Sequence, residues 1–158
     1  MKALQNKTEV NLITIGNGVI FFGLWTFLKI ILSYFLIDST TTENIQGASY
    51  VLLTVIVCAF AVFFALIHCY IGLSARSEGN GKNKSPVYLI VAGILVLLTA
   101  ATIIFEVVAV INSYFTFSMI ISIIIDGTSE VFLIELMFNS IKIRKIRKQN
   151  AKEEGYER

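Results

Sequence analysis

Asp126-Gly127-Thr128-Ser129-Glu130 sets two carboxylates one helical turn apart inside an otherwise apolar stretch. Ile120-Ile121-Ser122-Ile123-Ile124-Ile125 leads into it, and Val131-Phe132-Leu133-Ile134 leads out. Two further ionisable groups, Lys29 and Glu106, interrupt other apolar runs. In such surroundings a lone ionised carboxylate is unfavourable, so it takes up a proton, binds a cation or finds a base. Lys29 offers one positive charge against Asp126, Glu130 and Glu106. Two negative charges are left over.

The chemistry expected of these residues is proton or cation binding by Asp126, Glu130 and Glu106, with Lys29 as internal counter-ion. The hydroxyls of Thr99, Thr102, Thr128 and Ser129 are expected to line the same site. The competing reading is structural: the charges fix helix register or pair with another membrane protein. Gly127 then marks either a bend beside Thr128 and Ser129 or a close helix contact.

Other chemistry finds little support. The chain has one histidine and two cysteines, and no Cys-x-x-Cys. Cys58 and Cys69 would lie about 16 Å apart along one helix, too far to bridge. His68 reads as a satisfied interfacial residue, with Glu135 at a similar depth. Glu135, Asn139 and Lys142 share one helix face. Gly79-Asn80-Gly81-Lys82 is a fragment of a phosphate loop without its full spacing or its strand, and reads as a turn. No nucleophile is placed with a base, so no enzyme and no cofactor are expected. The basic residues cluster beside apolar segments without interleaved aromatics, which excludes nucleic acid as a partner.

The elements that must carry these groups are membrane helices. Of the 158 residues, 56% are hydrophobic, and the apolar runs reach the roughly 20 residues needed to cross a bilayer core. Four segments are expected, at about 12–37, 50–73, 87–111 and 115–141. They form one all-α membrane domain, an up-down-up-down four-helix bundle. The first is too long for a signal-peptide core and reads as a retained helix.

Small residues mark the contact faces. Gly16, Val19, Gly23, Thr26, Ile30 and Ser33 recur at heptad-like spacing in the first segment. Cys58, Ala61, Ala65, Cys69 and Gly72 do so in the second, where small side chains let membrane helices approach. Ala92, Leu95, Thr99, Thr102, Glu106 and Ala109 share a face of the third.

Charge sets the topology. Twelve of the 13 Lys and Arg residues fall in the N-terminal tail, the loop 74–86 and the tail 142–158. The polar loop 38–49 and the tight turn Asn112-Ser113-Tyr114 have none. The positive-inside rule then predicts a multi-pass cell-membrane protein with both termini cytoplasmic. Residues 1–11 read as a short polar tail or an interfacial turn. The stretch 142–148, with Lys and Arg around Ile141, Ile143 and Ile146, is expected to extend the last helix and lie against anionic lipid headgroups. The end, from Glu153, reads as frayed. A rival reading makes 115–141 a re-entrant hairpin with its tip at Asp126–Glu130.

At 1.5 Å per residue, Asp126 falls about 3 Å outward of the bilayer midplane and Glu130 about 3 Å inward. Lys29 falls about 7 Å and Glu106 about 10 Å outward, within reach of a stretched lysine. The function expected is a small ion- or proton-coupled transporter or channel, working as a homo-oligomer because four helices enclose little space. The alternative is a non-catalytic subunit that assembles with, regulates or protects another membrane protein.

Overall fold

The computed structural model describes residues 2–41, 48–82, 85–112 and 117–156, all helical apart from short turns. The four helices are α1 (Lys2–Thr41), α2 (Ala48–Gly79), α3 (Val87–Asn112) and α4 (Phe117–Tyr156). Among the described residues three stretches are long and apolar enough to cross a membrane: Ala3–Leu32, Ser49–Gly79 and Val87–Asn112. Within α4 the stretch 120–137 carries Asp126, Glu130 and Glu135.

The helices outrun the apolar segments expected from sequence. α1 takes in the polar stretch 2–11 rather than following it, and α2 continues past Leu73 through Arg76 and Glu78. α4 runs unbroken from Phe117 through Asp126–Glu130 and the basic stretch to Tyr156. The polar interruption is therefore a helical turn and not the tip of a re-entrant hairpin, and Glu153 still lies in the helix. The loop between Thr41 and Ala48 and the turn at 113–116 fall outside the described residues.

α2 ends as its residues dictate. Asn80 N–H donates to the Arg76 carbonyl at 3.0 Å and Gly81 N–H to that of Glu78 at 3.1 Å. Gly81 then takes φ of 84°, a left-handed conformation that favours glycine. Pro86 opens α3, where a missing N–H is harmless, and its carbonyl accepts from Leu89 at 2.9 Å.

The α1–α2 pair has the most extensive packing. Contacts from Gly16 to Gly72 and from Glu9 to Gly79 at one end, and from Tyr34 to Thr54 at the other, make the two antiparallel. A β-carbon on Gly16 would meet the Gly72 carbonyl oxygen at 2.7 Å, and one on Gly79 would meet the Glu9 carbonyl at 2.9 Å. Backbones approach here because no side chain intervenes, which is how helices gain dispersion energy in an apolar solvent.

α1 also packs on α4, through two polar-ended heptad seams. On α1 the seam reads Gln5, Thr8, Leu12, Ile15, Val19, Phe22, Thr26, Lys29; on α4 it reads Asp126, Ser129, Leu133, Leu136, Ser140, Ile143, Arg147, Asn150. Each alternates steps of three and four, the spacing that keeps one helix face on its neighbour. The outermost members span equal lengths of chain and bond across both ends. Asn150 Nδ2 donates to Gln5 Oε1 at 2.7 Å, and Lys29 pairs with Asp126.

The buried apolar core gathers at the end of the bundle that holds Gln5, Glu78 and Arg147, here the basic end. Leu12, Ile15, Val19, Ile71, Tyr88, Leu133, Leu136 and Ile143 form it. Ile143 belongs to this core and Ile146 is also buried, so both face the bundle. Elsewhere the surface is apolar: Phe21, Phe60, Leu66, Leu97, Phe105 and Phe138 are each more than half exposed. That inverts the order of a water-soluble bundle and suits lipid contact.

Candidate functional site

Beyond the packed core the helices part around a half-open cavity of about 310 Å³. Every helix contributes to its wall: Thr26 and Lys29 from α1, Phe64 and His68 from α2, Thr99 and Glu106 from α3, Asp126 and Ser129 from α4. α3 packs on α4 and lightly on α2, and has no backbone packing with α1 among the described residues. The gap is crossed by a side chain. Lys29 Nζ donates to Glu106 Oε1 at 2.7 Å and also to Asp126 Oδ2, tying α1 to α3 and α4. Ser122 Oγ donates to the same Glu106 oxygen at 2.9 Å.

The second Glu106 oxygen, Oε2, is buried without a hydrogen-bond partner. So is His68 Nε2, on a residue only 1% exposed. His68 Nδ1 lies 2.9 Å from the Phe64 carbonyl, which can only accept, so Nδ1 carries the proton and neutral Nε2 presents a lone pair. Gly23 makes room for the imidazole, since a β-carbon there would collide with His68. His68 is thus buried on the cavity wall with one ring nitrogen unpaired, not satisfied as expected, and Glu135 is exposed.

The sequence-derived site residues divide. Lys29, Glu106 and Asp126 meet as one ion-paired group, with Thr99, Thr102 and Ser129 on the wall. Glu130 lies outside the cavity wall and accepts from Thr99 Oγ1, one turn from Asp126. Thr128 is exposed, and its hydroxyl donates to the Ile124 carbonyl at 2.7 Å. The α4 seam explains the split: Asp126 and Ser129 are on it, and Thr128 points away from it. Nothing lies within 4 Å of a β-carbon built on Gly127, so this glycine is not a close helix contact. The helix shows no break there either.

A second polar group, at the basic end, was not legible as a site. Glu78, only 2% exposed, accepts from Arg144 Nε at 2.6 Å and Nη2 at 2.9 Å, and from the Tyr88 hydroxyl. Tyr88 Oη is also 2.8 Å from Ser140 Oγ, and the Arg144 guanidinium lies over the Tyr88 ring at 5.8 Å. The hydrogen bonds that it donates to the Glu78 carboxylate, opposed by partial burial, hold the Arg144 guanidinium above its ordinary value. Arg147 Nη2 donates to Glu9 Oε1 at 2.9 Å and to the Glu78 carbonyl at 2.7 Å. All four helices are joined by these contacts, about 27 Å along α4 from Asp126.

The described residues contain no cluster of histidine, cysteine and carboxylate side chains suited to a metal ion. Comparison with protein families, with curated proteins and with solved structures finds no match.

Proposed function

We propose that this chain is a four-helix, up-down-up-down protein of the cell membrane that exchanges protons for a cation at Asp126 and Glu106. One observation carries the reading: on the wall of a half-open cavity, a single ammonium, Lys29, is shared by two carboxylates. With all three ionised the group has a net charge of minus one in apolar surroundings, a state that neutralisation relieves. One added proton or one monovalent cation removes that charge. The two occupants compete for the same charge, so binding one expels the other, which is the condition for coupled exchange. Glu130, held by Thr99 one turn away, is a third carboxylate that can pass a proton towards the basic end.

The rest of the molecule fits such a cycle. The core and the Glu78–Arg144–Arg147 group close the basic end, while the cavity lies beyond them. Three long apolar helices with exposed apolar faces supply the lipid contact. The positive-inside rule puts the basic end and both termini in the cytoplasm, with anionic headgroups at Lys142 and Lys145. Residues from all four helices of one chain line the cavity. No covalent chemistry is involved, and the protein is not an enzyme in this reading.

The test is exchange in liposomes holding the purified protein and an internal pH dye. An imposed gradient of sodium, potassium or an organic ammonium should move protons in the opposite direction. Asp126→Asn and Glu106→Gln should each reduce the rate at least about 10-fold, because either leaves Lys29 balanced by one carboxylate. Silence under every gradient, with both variants merely less stable, would instead favour a role in assembly with another membrane protein.

A further inference from the structure

α3 is held differently along its length. At the basic end its inward face is sealed: Tyr88, Ala92 and Leu95 are at most 2% exposed, and the Tyr88 hydroxyl is bonded to Glu78 of α2 and Ser140 of α4. One turn on, the same face opens beside the half-open cavity, where Leu98 is 51% exposed and Thr102 is exposed too. Beyond Leu95, the side-chain hydrogen bonds that join α3 to other helices among the described residues all end on a carboxylate. Thr99 donates to Glu130, and Ser122 and Lys29 donate to Glu106. Toward α1 the described residues show no backbone packing, and the Lys29–Glu106 pair is the polar link across that gap. A helix packed at one end and tied by charge at the other has two arrangements that a change of charge can select.

We infer that the outer half of α3 is a hinged gate, latched by Lys29 on Glu106 and pivoting about the Tyr88 end. The latch needs the charge on Glu106, because in apolar surroundings an ammonium holds a carboxylate far more strongly than a neutral carboxyl. Asp126 is the second partner of Lys29. With a proton on Asp126, Lys29 grips Glu106 and the gate is shut. Moved to Glu106, the same proton leaves Lys29 with Asp126, and α3 swings away from α1. The ionisable neighbours of this step are Lys29 from α1, His68 from α2, and Asp126 and Glu130 from α4; the outer half of α3 adds only Glu106. The gate supplies a moving part for the exchange reading without depending on it, since it needs only a change of charge at Glu106.

Electron-spin distance measurements in lipid nanodiscs test this with two label pairs, in a background of Cys58→Ser and Cys69→Ser. Leu28→Cys with Phe105→Cys reports the outer half, and Val10→Cys with Ile90→Cys reports the basic end. All four side chains are exposed, so the labels leave the packing intact. Acid should lengthen the outer distance by about 2–5 Å relative to neutral pH, while the basic-end distance holds. Glu106→Gln should be long already at neutral pH and indifferent to acid. Asp126→Asn should stay short at neutral pH, because Lys29 then has Glu106 alone. An outer distance that acid leaves unchanged overturns the inference without needing any charge variant. Lengthening in Asp126→Asn equal to that in Glu106→Gln, or equal movement at both ends, overturns it as well. A moving gate without proton flux leaves this inference standing and removes the exchange reading; flux with α3 fixed does the reverse.

Discussion

Removing the Glu78 carboxylate should loosen the basic end of the bundle, and the geometry sets how far. Glu78→Gln deletes a charge that is 2% exposed and is paired with Arg144, and it turns an amide N–H₂ toward donors. Breaking one side of a buried pair costs about 3–5 kcal/mol. Arg144 is 30% exposed and can regain water, so the loss should fall lower, at about 2–3 kcal/mol. Arg144→Met should cost about as much, since it strands Glu78. The double variant should lose much less than the sum, with a coupling energy of about 2 kcal/mol. Unfolding by SDS in mixed micelles, followed by circular dichroism and by Trp25 fluorescence, measures all three. A coupling below about 0.5 kcal/mol would mean that the two residues act independently, and the joint closure of this end would be refuted.

Three other outcomes follow from contacts already described. Gly16→Ala places a β-carbon 2.7 Å from the Gly72 carbonyl and should destabilise the α1–α2 pair by about 1–3 kcal/mol in the same assay. Gly127→Ala meets nothing and lies within a helix, so it should stabilise by about 0.5–1 kcal/mol. Tyr88→Phe removes one donor to Glu78 and should cost about 1–2 kcal/mol, while leaving proton exchange in liposomes measurable.

Much of the fold was legible because apolar runs and small residues follow directly from what lipid and close helix packing demand. Gly16, Gly23 and Gly72 were readable as contact positions, and they lie where α1 meets α2. That Lys29 could meet Glu106 or Asp126 was readable from their similar depths, and Lys29 pairs with both, whereas Glu130, expected in the same group, bonds to Thr99 instead. The basic end was hidden by a boundary. Hydropathy ends α2 near Leu73, whereas hydrogen bonding carries it to Gly79, and Glu78 is buried by that extra length. The signal was periodic rather than apolar. The α4 seam continues at three-four spacing through Ser140, Ile143, Arg147 and Asn150, which marks Arg147 as inward despite its charge. The burial of His68 was not foreseen because depth alone says nothing of direction. Its orientation depends on Gly23 of another helix, a pairing that one sequence does not reveal.

The count of one base against two acids is the centre of the account, and infrared spectroscopy reads it directly. A protonated carboxyl absorbs apart from a carboxylate, and the protein can be measured in lipid at neutral pH without added cations. Glu130→Gln serves as the background, so that Glu130 does not contribute. The account predicts a protonated-carboxyl band in that background. Adding Glu106→Gln or Asp126→Asn should abolish it, because either leaves one acid paired with Lys29. Adding Lys29→Met should enlarge it, because two acids then have no base. A spectrum with no such band, or a band indifferent to all three substitutions, would contradict the account.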